Sequence, residues 1–203
     1  MKTEQESFWA GEFGRDYIGR NQNTQLITSN ISIFTRILAK TRGVNAIAEF
    51  GCNIGMNLRA INNINPNIQL TGVEINADAV SELKTWGGAK VVHDSIIDYQ
   101  HENQFDLTFT KGVLIHINPD YLTQVYQNLY ASSKKYILVV EYYSPKPVTI
   151  DYRGHENRLF KRDFAGEMLE AYPDLELVDY GFFYHRDPVF PSDDLNWFLM
   201  RKI

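Results

Sequence analysis

Apolar residues recur along the chain with two different periods, and these periods predict alternating helices and strands. Residues 24–41 repeat apolar positions at the three-to-four-residue spacing of an amphipathic helix. Shorter apolar runs bounded by polar or glycine residues are typical of strands. The predicted strands cover 44–50, 69–74, 89–93, 105–110 and 136–141. Helices are predicted between them at 55–64, 77–85 and 121–131, whereas 94–104 is predicted as a loop.

The last part of the chain has a different order of predicted elements. A helix is predicted at 162–172, where Pro173 stops it. Strands at 175–183 and 195–201 are joined by the helix-free loop 184–194, which is typical of an antiparallel pair. The earlier alternation of strands and helices indicates a parallel sheet covered on both faces. The expected fold is therefore α/β, with a seven-stranded, mostly parallel sheet and an antiparallel pair at one edge.

Length and charge narrow the class of protein. The 203 residues predict one domain, and 44% apolar residues are enough for a full core. A formal charge of −5 argues against a broad nucleic-acid surface, which needs a basic face. The lone cysteine, Cys52, favours a reducing cytoplasmic location. The start of the chain does not read as a secretory signal, and no apolar run approaches the ~20 residues that cross a membrane.

A glycine loop follows the first strand of the alternating region. Residues 48–57 read AEFGCNIGMN, so Gly51 and Gly55 come directly after an apolar run. Glycine lets the backbone turn sharply and approach a ligand closely. Asn53 stands where a third glycine is often found, and asparagine tolerates positive φ. The G-x-G-x-x-G spacing that cradles a pyrophosphate is absent, and Glu49 suits a positively charged amine better than a phosphate.

Two further acids follow the next two predicted strands. Glu74, within GVEIN, can accept hydrogen bonds from both hydroxyls of a ribose. Asp94, within HDSI, can accept from the exocyclic amine of adenine while a nearby backbone amide donates to the ring. Their neighbours Ile75 and Ser95 are predicted to line the same site. An amine, a ribose and an adenine together describe S-adenosylmethionine (SAM) better than NAD.

The ordered set of motifs resembles a known enzyme family. AEFGCNIG, GVEIN, HDSI and FDLTFTKGVLIHI follow the order and spacing of the motifs of class I SAM-dependent methyltransferases, over roughly residues 45–141. Asn53 departs from the glycine that many members carry. FWAGEFGRDYIGRN together with RGHENRLFKRDFAGE is similar to the pseudaminic acid biosynthesis-associated methylase family. The resemblances imply a Rossmann-like class I methyltransferase fold, SAM as the cofactor and an acceptor related to sugars.

The single domain, 1–203, is expected to have three parts. Residues 1–42 are predicted as an N-terminal helical lid, 43–141 as the cofactor-binding core and 142–203 as the acceptor side. Aromatic residues and glycines alternate in the lid, and aromatic faces attract cations such as a sulfonium. Tyr17 is therefore a candidate for the sulfonium, and Arg20 or Arg15 for the methionine carboxylate. The alternative is that the aromatic residues only pack the lid onto the sheet.

Candidate acceptor-side residues follow the fourth and fifth strands and the segment after them. Lys111 is expected beside the donor or the acceptor. His116, Glu141 and His155 are candidate bases for an oxygen nucleophile, since histidine titrates near neutral pH. Basic groups in DYRGHENRLFKR suit a small anionic acceptor, or they are simply solvated. No set of residues has metal-ligand spacing, so no metal is predicted.

Three functions stay open at this point. The first is a SAM-dependent methyltransferase that acts on oxygen or nitrogen of a sugar or nucleotide-sugar related small molecule. The second is a SAM-binding partner subunit or sensor without turnover. The third is a small NAD-dependent sugar oxidoreductase or epimerase, against which the missing third glycine argues.

Overall fold

The computed structural model describes residues 3–19, 24–102, 104–152 and 154–203, apart from the side chains of 24, 152 and 155–158. The helices of the described chain are α1 (Glu4–Ala10), α2 (Glu12–Ile18), α3 (Thr24–Leu38), α4 (Met56–Ile64), α5 (Ala77–Trp86), α6 (Leu122–Ser132) and α7 (Phe164–Ala171). Its strands are β1 (Ala46–Phe50), β2 (Gln69–Glu74), β3 (Lys90–His93), β4 (Phe105–Lys111), β5 (Ser133–Glu141), β6 (Val148–Tyr152), β7 (His155–Lys161), β8 (Leu175–Phe182) and β9 (Asn196–Lys202).

Seven strands form one mixed sheet in the order β3-β2-β1-β4-β5-β9-β8. The strands β1 to β5 pair in parallel, and β9 runs antiparallel to both of its neighbours, β5 and β8. The predicted antiparallel pair at one edge is thus confirmed, with β9 as the strand that reverses direction. The strand order changes direction between β1 and β4, and ligands bind beyond the carboxyl ends of strands at such a point.

Apolar side chains bury both faces of this sheet. Leu138 of β5 belongs to the cluster that contains Phe34 of α3. Its neighbour Val139 belongs to the cluster that contains Met168 of α7. Because successive side chains of a strand point to opposite faces, a strand buried on both sides reads as one continuous apolar run. This is why the central strands are recognisable in the sequence.

The N-terminal region folds into two short helices that pack against the carboxyl edge of the sheet. Thr3 caps α1, since its hydroxyl accepts from the Glu6 amide and the Glu6 carboxylate accepts from the Thr3 amide. The Asn76 side-chain amide, after β2, donates to the carbonyl oxygen of Trp9 over 3.0 Å. A Cβ on Gly14 of α2 would lie 2.7 Å from that amide nitrogen, so only glycine allows this close approach.

The segment after β5 differs from the prediction. Residues 148–161 form a two-stranded antiparallel hairpin, β6 and β7, which the sequence analysis had treated as a basic segment before a helix. The hairpin turns at Gly154, which has φ of 82°. The predicted helix start at 162 was wrong by two residues because Asp163 caps α7, accepting from the Gly166 amide over 2.8 Å. Alternating apolar residues at 148 and 150 were the signal that was missed.

Candidate active site

A cavity of about 270 Å³ lies at the carboxyl ends of β1, β2 and β4, where the sheet order reverses. Glu49, Glu74 and Lys111 reach it from the three strand ends. Trp9 of α1 and Tyr17 of α2 contribute to its wall from the N-terminal helices. Asp193 contributes from the loop between β8 and β9. Residues that are far apart in the sequence thus converge on one site.

The glycine loop adopts the left-handed turns that its composition predicts. Gly51 and Gly55 have φ of 78°, and Asn53 has φ of 49°. Among the described residues Asn53 is the one non-glycine with positive φ, so asparagine does take the place of the expected third glycine. Its side-chain oxygen accepts from the Ile54 amide over 2.7 Å, which holds the turn. Gly55 caps the start of α4 and lies behind the cavity wall rather than in it.

Glu74 holds this loop against the end of β2. One carboxylate oxygen accepts from the Asn53 amide at 2.7 Å, and the other accepts from the Asn76 amide at 2.8 Å. Burial raises the pKa of Glu74, and these backbone amides oppose the rise. Each carboxylate oxygen can accept more than one hydrogen bond. Glu74 can therefore fix the loop and still accept from a ligand in the cavity.

Glu49 carries the most unusual carboxylate of the site. Its side chain is only 1% exposed, and Oε1 accepts from the Asn57 side-chain amide of α4 at 2.5 Å. The second oxygen, Oε2, is buried without a hydrogen-bond partner among the described residues. Burial raises the pKa of Glu49 to about 8, although Asn57 and Lys111 act in the opposite direction. A buried acceptor left unpaired is costly, and a ligand cation would remove that cost.

The part of the cavity wall next to β3 differs from the expectation in one residue. Ile75 and Ser95 line the cavity, whereas Asp94 is absent from the described lining residues. The Asp94 carboxylate accepts from the Ser95 amide over 2.8 Å, so it caps the turn that follows β3. The sequence placed the acid at the correct strand end but could not give the direction of its side chain.

The three candidate bases have different positions. His116 lines the cavity from the 3₁₀ turn Leu114–His116, is 8% exposed, and has its ring centroid 4.6 Å from that of Trp9. Glu141 is absent from the described lining residues, since its Oε1 accepts from the amides of Val113 and Leu114 at 2.9 and 3.0 Å. Burial raises the pKa of Glu141 to about 7. The side chain of His155, like the whole of Arg20, lies outside the described residues.

Comparison with known proteins agrees with this geometry. Residues 48–135 match the model of a methyltransferase domain family. The chain thus contains a segment that is similar to a methyltransferase domain. No curated protein sequence matches it.

Solved structures with this fold include other methyltransferases. The chain resembles 1,6-didemethyltoxoflavin-N1-methyltransferase of Burkholderia thailandensis with a TM-score of 0.70 and 15% identity, over 98% of this chain and 86% of that chain. It resembles magnesium protoporphyrin IX methyltransferase of Synechocystis PCC 6803 with a TM-score of 0.71 and 11% identity, over 98% and 100% of the two chains. Both neighbours were crystallised with S-adenosylhomocysteine (SAH). The class I methyltransferase fold is thereby confirmed.

The methyltransferase domain implies SAM as the methyl donor, and the residues present fit that group. The Oε2 atom of Glu49, which has no hydrogen-bond partner among the described residues, can accept from its ammonium group, and Glu74 can accept from its ribose hydroxyls. Gly51 lets the Val113 side chain pack closely against the loop, since a Cβ there would lie 2.8 Å from that side chain. The predicted cofactor residues that line the cavity are Tyr17, Glu49, Gly51, Asn53, Glu74, Ile75, Ser95 and Lys111.

The cavity wall also contains a lysine that lies between acids. Lys111 is half-buried, and burial lowers its pKa while the negative charges of Asp193, Glu49 and Glu141 raise it. The sequence analysis missed Asp193. The acidic end of the loop, PSDD, was visible in the sequence, but nothing local shows which of its acids points inward.

Among the described residues, no group of three or more histidine, cysteine, aspartate or glutamate side chains could hold a metal ion. No described helix is both long enough and apolar enough to cross a membrane.

Proposed function

We propose that this chain uses SAM to methylate an oxygen or nitrogen atom of a small polar molecule, a sugar or a nucleotide sugar. The observation that carries the cofactor part is the buried Oε2 of Glu49, beside the glycine loop, which has no hydrogen-bond partner in the described part of the chain. A carboxylate in this position is poorly suited to the phosphates of NAD and well suited to an ammonium group.

Two parts of the cofactor each have a residue that can hold them. Glu49 accepts from the ammonium group, and Glu74 accepts from the ribose hydroxyls. The Asn53 amide fixes the position of Glu74, and the Asn57 side-chain amide fixes that of Glu49. When bound, SAM supplies a methyl group on a sulfonium, which is already activated for displacement. Positioning of the acceptor therefore provides most of the remaining acceleration.

His116 is the best candidate to take a proton from the acceptor. It lies in the cavity wall, on a turn whose backbone amides are held by Glu141. His116 can accept the proton of an attacking hydroxyl as the oxygen bonds to the methyl carbon. Glu141 then acts as a positioning residue for this turn. A neutral amine acceptor would need less help from a base.

The acceptor side supports a small polar substrate. The cavity volume of about 270 Å³ is close to the lower end of the range of small-molecule sites, which favours a small acceptor. Lys111 and Asp193 give the wall both charges, which suits hydroxyl and carboxyl groups. The fold does not choose the substrate. The sugar class is instead supported by the family resemblance of residues 8–21 and 153–167.

The alternatives make different predictions. A SAM sensor would bind the cofactor without turning over any acceptor. A small NAD-dependent oxidoreductase would need a catalytic tyrosine and lysine, spaced Tyr-x-x-x-Lys, near the cofactor. Tyr130 and Lys134 do have the Tyr-x-x-x-Lys spacing, but the Tyr130 hydroxyl donates to Asp174, and neither residue is among the described lining residues.

Calorimetric titration with SAM and SAH tests the cofactor, and Glu74→Ala tests the site. The wild-type chain should bind both compounds, and Glu74→Ala should weaken binding by about 10-fold or more because charge-assisted hydrogen bonds are lost. Glu170→Ala, at an exposed position of α7, serves as the matched control. Well-folded wild-type protein that binds neither compound would contradict the proposal.

Incubation with SAM and a panel of sugars and nucleotide sugars tests the acceptor. Mass spectrometry should detect a product heavier by one methyl group, and His116→Ala should slow its formation for an oxygen acceptor. Tight SAM binding with no product from any sugar acceptor would reject the sugar assignment.

A further inference from the structure

A carboxylate from the N-terminal helix α1 lies at the purine end of the cavity. Four carboxylates are present among the described lining residues: Glu6, Glu49, Glu74 and Asp193. Glu49 and Glu74 end their strands, and Asp193 lies on the acceptor side. Glu6 is the one that approaches the end of β3, since its Oε1 accepts from the Ser95 hydroxyl. The site thus has one acid more than the acceptor side and the proposed contacts to ammonium and ribose require.

The Glu6 side chain is held firmly in this position. It is 6% exposed, and its Oε2 accepts from the Thr3 amide over 3.0 Å. The Ser95 hydroxyl also accepts from the Ile97 amide over 3.1 Å, which links Glu6 to the loop after β3. A carboxylate has about four acceptor positions, and Glu6 lines the cavity, so it can also accept from a ligand there.

Glu6 lies where the sequence analysis expected Asp94 to accept a hydrogen bond from the adenine amine. The end of β3 is where an acid can accept from the adenine amine, but Asp94 bonds to the Ser95 amide and is absent from the described lining. Ile75 and Ile96 provide apolar surfaces for a purine ring in the same region of the wall. An acid on the lid, next to Ser95, is therefore placed to contact the edge of that ring.

We propose that Glu6 accepts the hydrogen bond from the exocyclic amine of adenine and so determines the purine specificity of the SAM site. This inference rests on the proposed function. It makes α1 part of the cofactor site, because the same side chain then caps α1 and contacts the purine. A purine with an oxygen in place of the amine would face a carboxylate that can only accept, and it would be rejected.

Calorimetry with two ligands tests this contact. SAH has the adenine amine, and S-inosylhomocysteine has a carbonyl oxygen at the same place. The wild-type chain should prefer SAH by about 10-fold or more, the size of one charge-assisted hydrogen bond. Glu6→Gln should reduce or invert this preference, since an amide can donate to the oxygen of inosine. Gln also serves in a capping box, so α1 should keep its cap.

Two variants serve as controls. Glu4→Gln changes an exposed acid of the same helix and should keep the wild-type preference. Asp94→Asn should also keep it, because Asp94 lies outside the described lining. Circular dichroism and a melting curve verify that each variant is folded.

The possible results separate this inference from the proposed function. Equal wild-type affinity for the two ligands would overturn the role of Glu6 and needs no variant. An unchanged preference in folded Glu6→Gln, or a lost preference in Asp94→Asn, would also overturn it. In each of these cases the chain still binds SAH, so the proposed function stands. A wild-type chain that binds neither ligand would overturn the proposed function itself.

Discussion

At the scale of single residues, the site depends on carboxylates whose pKa is raised by burial. Glu49 keeps one oxygen bonded to Asn57 and the other buried without a described partner. Its pKa of about 8 reflects removal from water, which disfavours the charged form. The free protein therefore holds Glu49 mainly protonated at neutral pH. A ligand cation would reverse this balance and expel the proton.

The affinity for SAH should consequently depend on pH. Because the folded pKa of Glu49 is raised, proton loss becomes easier as the pH rises, so affinity should increase from about pH 6 to about pH 8. Binding at pH 7 should release roughly one proton, measured by calorimetry in buffers of different ionisation enthalpy. Glu49→Gln should abolish the proton release and weaken binding. A wild-type affinity that is flat over this range would contradict the role of Glu49.

At the scale of elements, the N-terminal helices complete a site that the sheet begins. Trp9 and Tyr17 line the cavity from α1 and α2, and their rings make an edge contact with centroids 5.3 Å apart. The helices attach through the Asn76 side chain, which donates to the carbonyl oxygen of Trp9. Gly14 makes this attachment possible because a larger residue would displace both partners. Short helices are marginal alone, so docking stabilises them.

Gly14→Ala should therefore undock the helices and leave the core folded. The added Cβ would collide with the Trp9 carbonyl oxygen and with the Asn76 side chain. We expect SAH affinity to fall by about 10-fold and the N-terminal region to become sensitive to protease, with a small change in melting temperature. Gly19→Ala is the matched control, since a Cβ there has nothing within 4 Å. Equal SAH affinity in the two variants would show that the helices are not part of the site.

At the scale of the whole molecule, the strand order brings the candidate site residues of β1, β2 and β4 together at the carboxyl edge of the sheet. The carboxyl ends of β1, β2 and β4 open on the same cavity, and apolar clusters fix the sheet from both faces. A ligand in this cavity contacts the strand ends and the N-terminal helices at the same time. Binding should therefore stabilise the native chain as a unit.

Saturation with SAH should raise the melting temperature. A ligand at about 100 times its Kd stabilises the native state by about 2.7 kcal/mol. For a domain of this size, that corresponds to a rise of about 5–10 °C in a fluorimetric or calorimetric melt. NADH at the same concentration should leave the melting temperature unchanged. A rise with NADH and none with SAH would favour the oxidoreductase.

The sequence by itself determined the alternation of strands and helices and the path of the glycine loop. Both depend on local properties: apolar periodicity identifies a buried strand, and Asn53 tolerates positive φ as few residues do. The sequence also identified Glu49 and Glu74 as acids that line the cavity. Both lie at carboxyl ends of strands, and ligands of parallel sheets bind beyond such ends where the strand order reverses.

Tertiary structure alone decided which side chains face the cavity. Asp94 and Glu141 turn to nearby backbone amides, whereas Asp193 and Glu6 enter from distant segments. Glu6 and Ser95 are 89 positions apart, and no local pattern encodes their contact. The direction of a side chain at a strand end depends on the hydrogen-bond donors that packing brings to it. The amides that donate to Glu141 and the Ser95 hydroxyl that donates to Glu6 come from other elements, so these contacts are fixed only once the helices and the sheet have assembled.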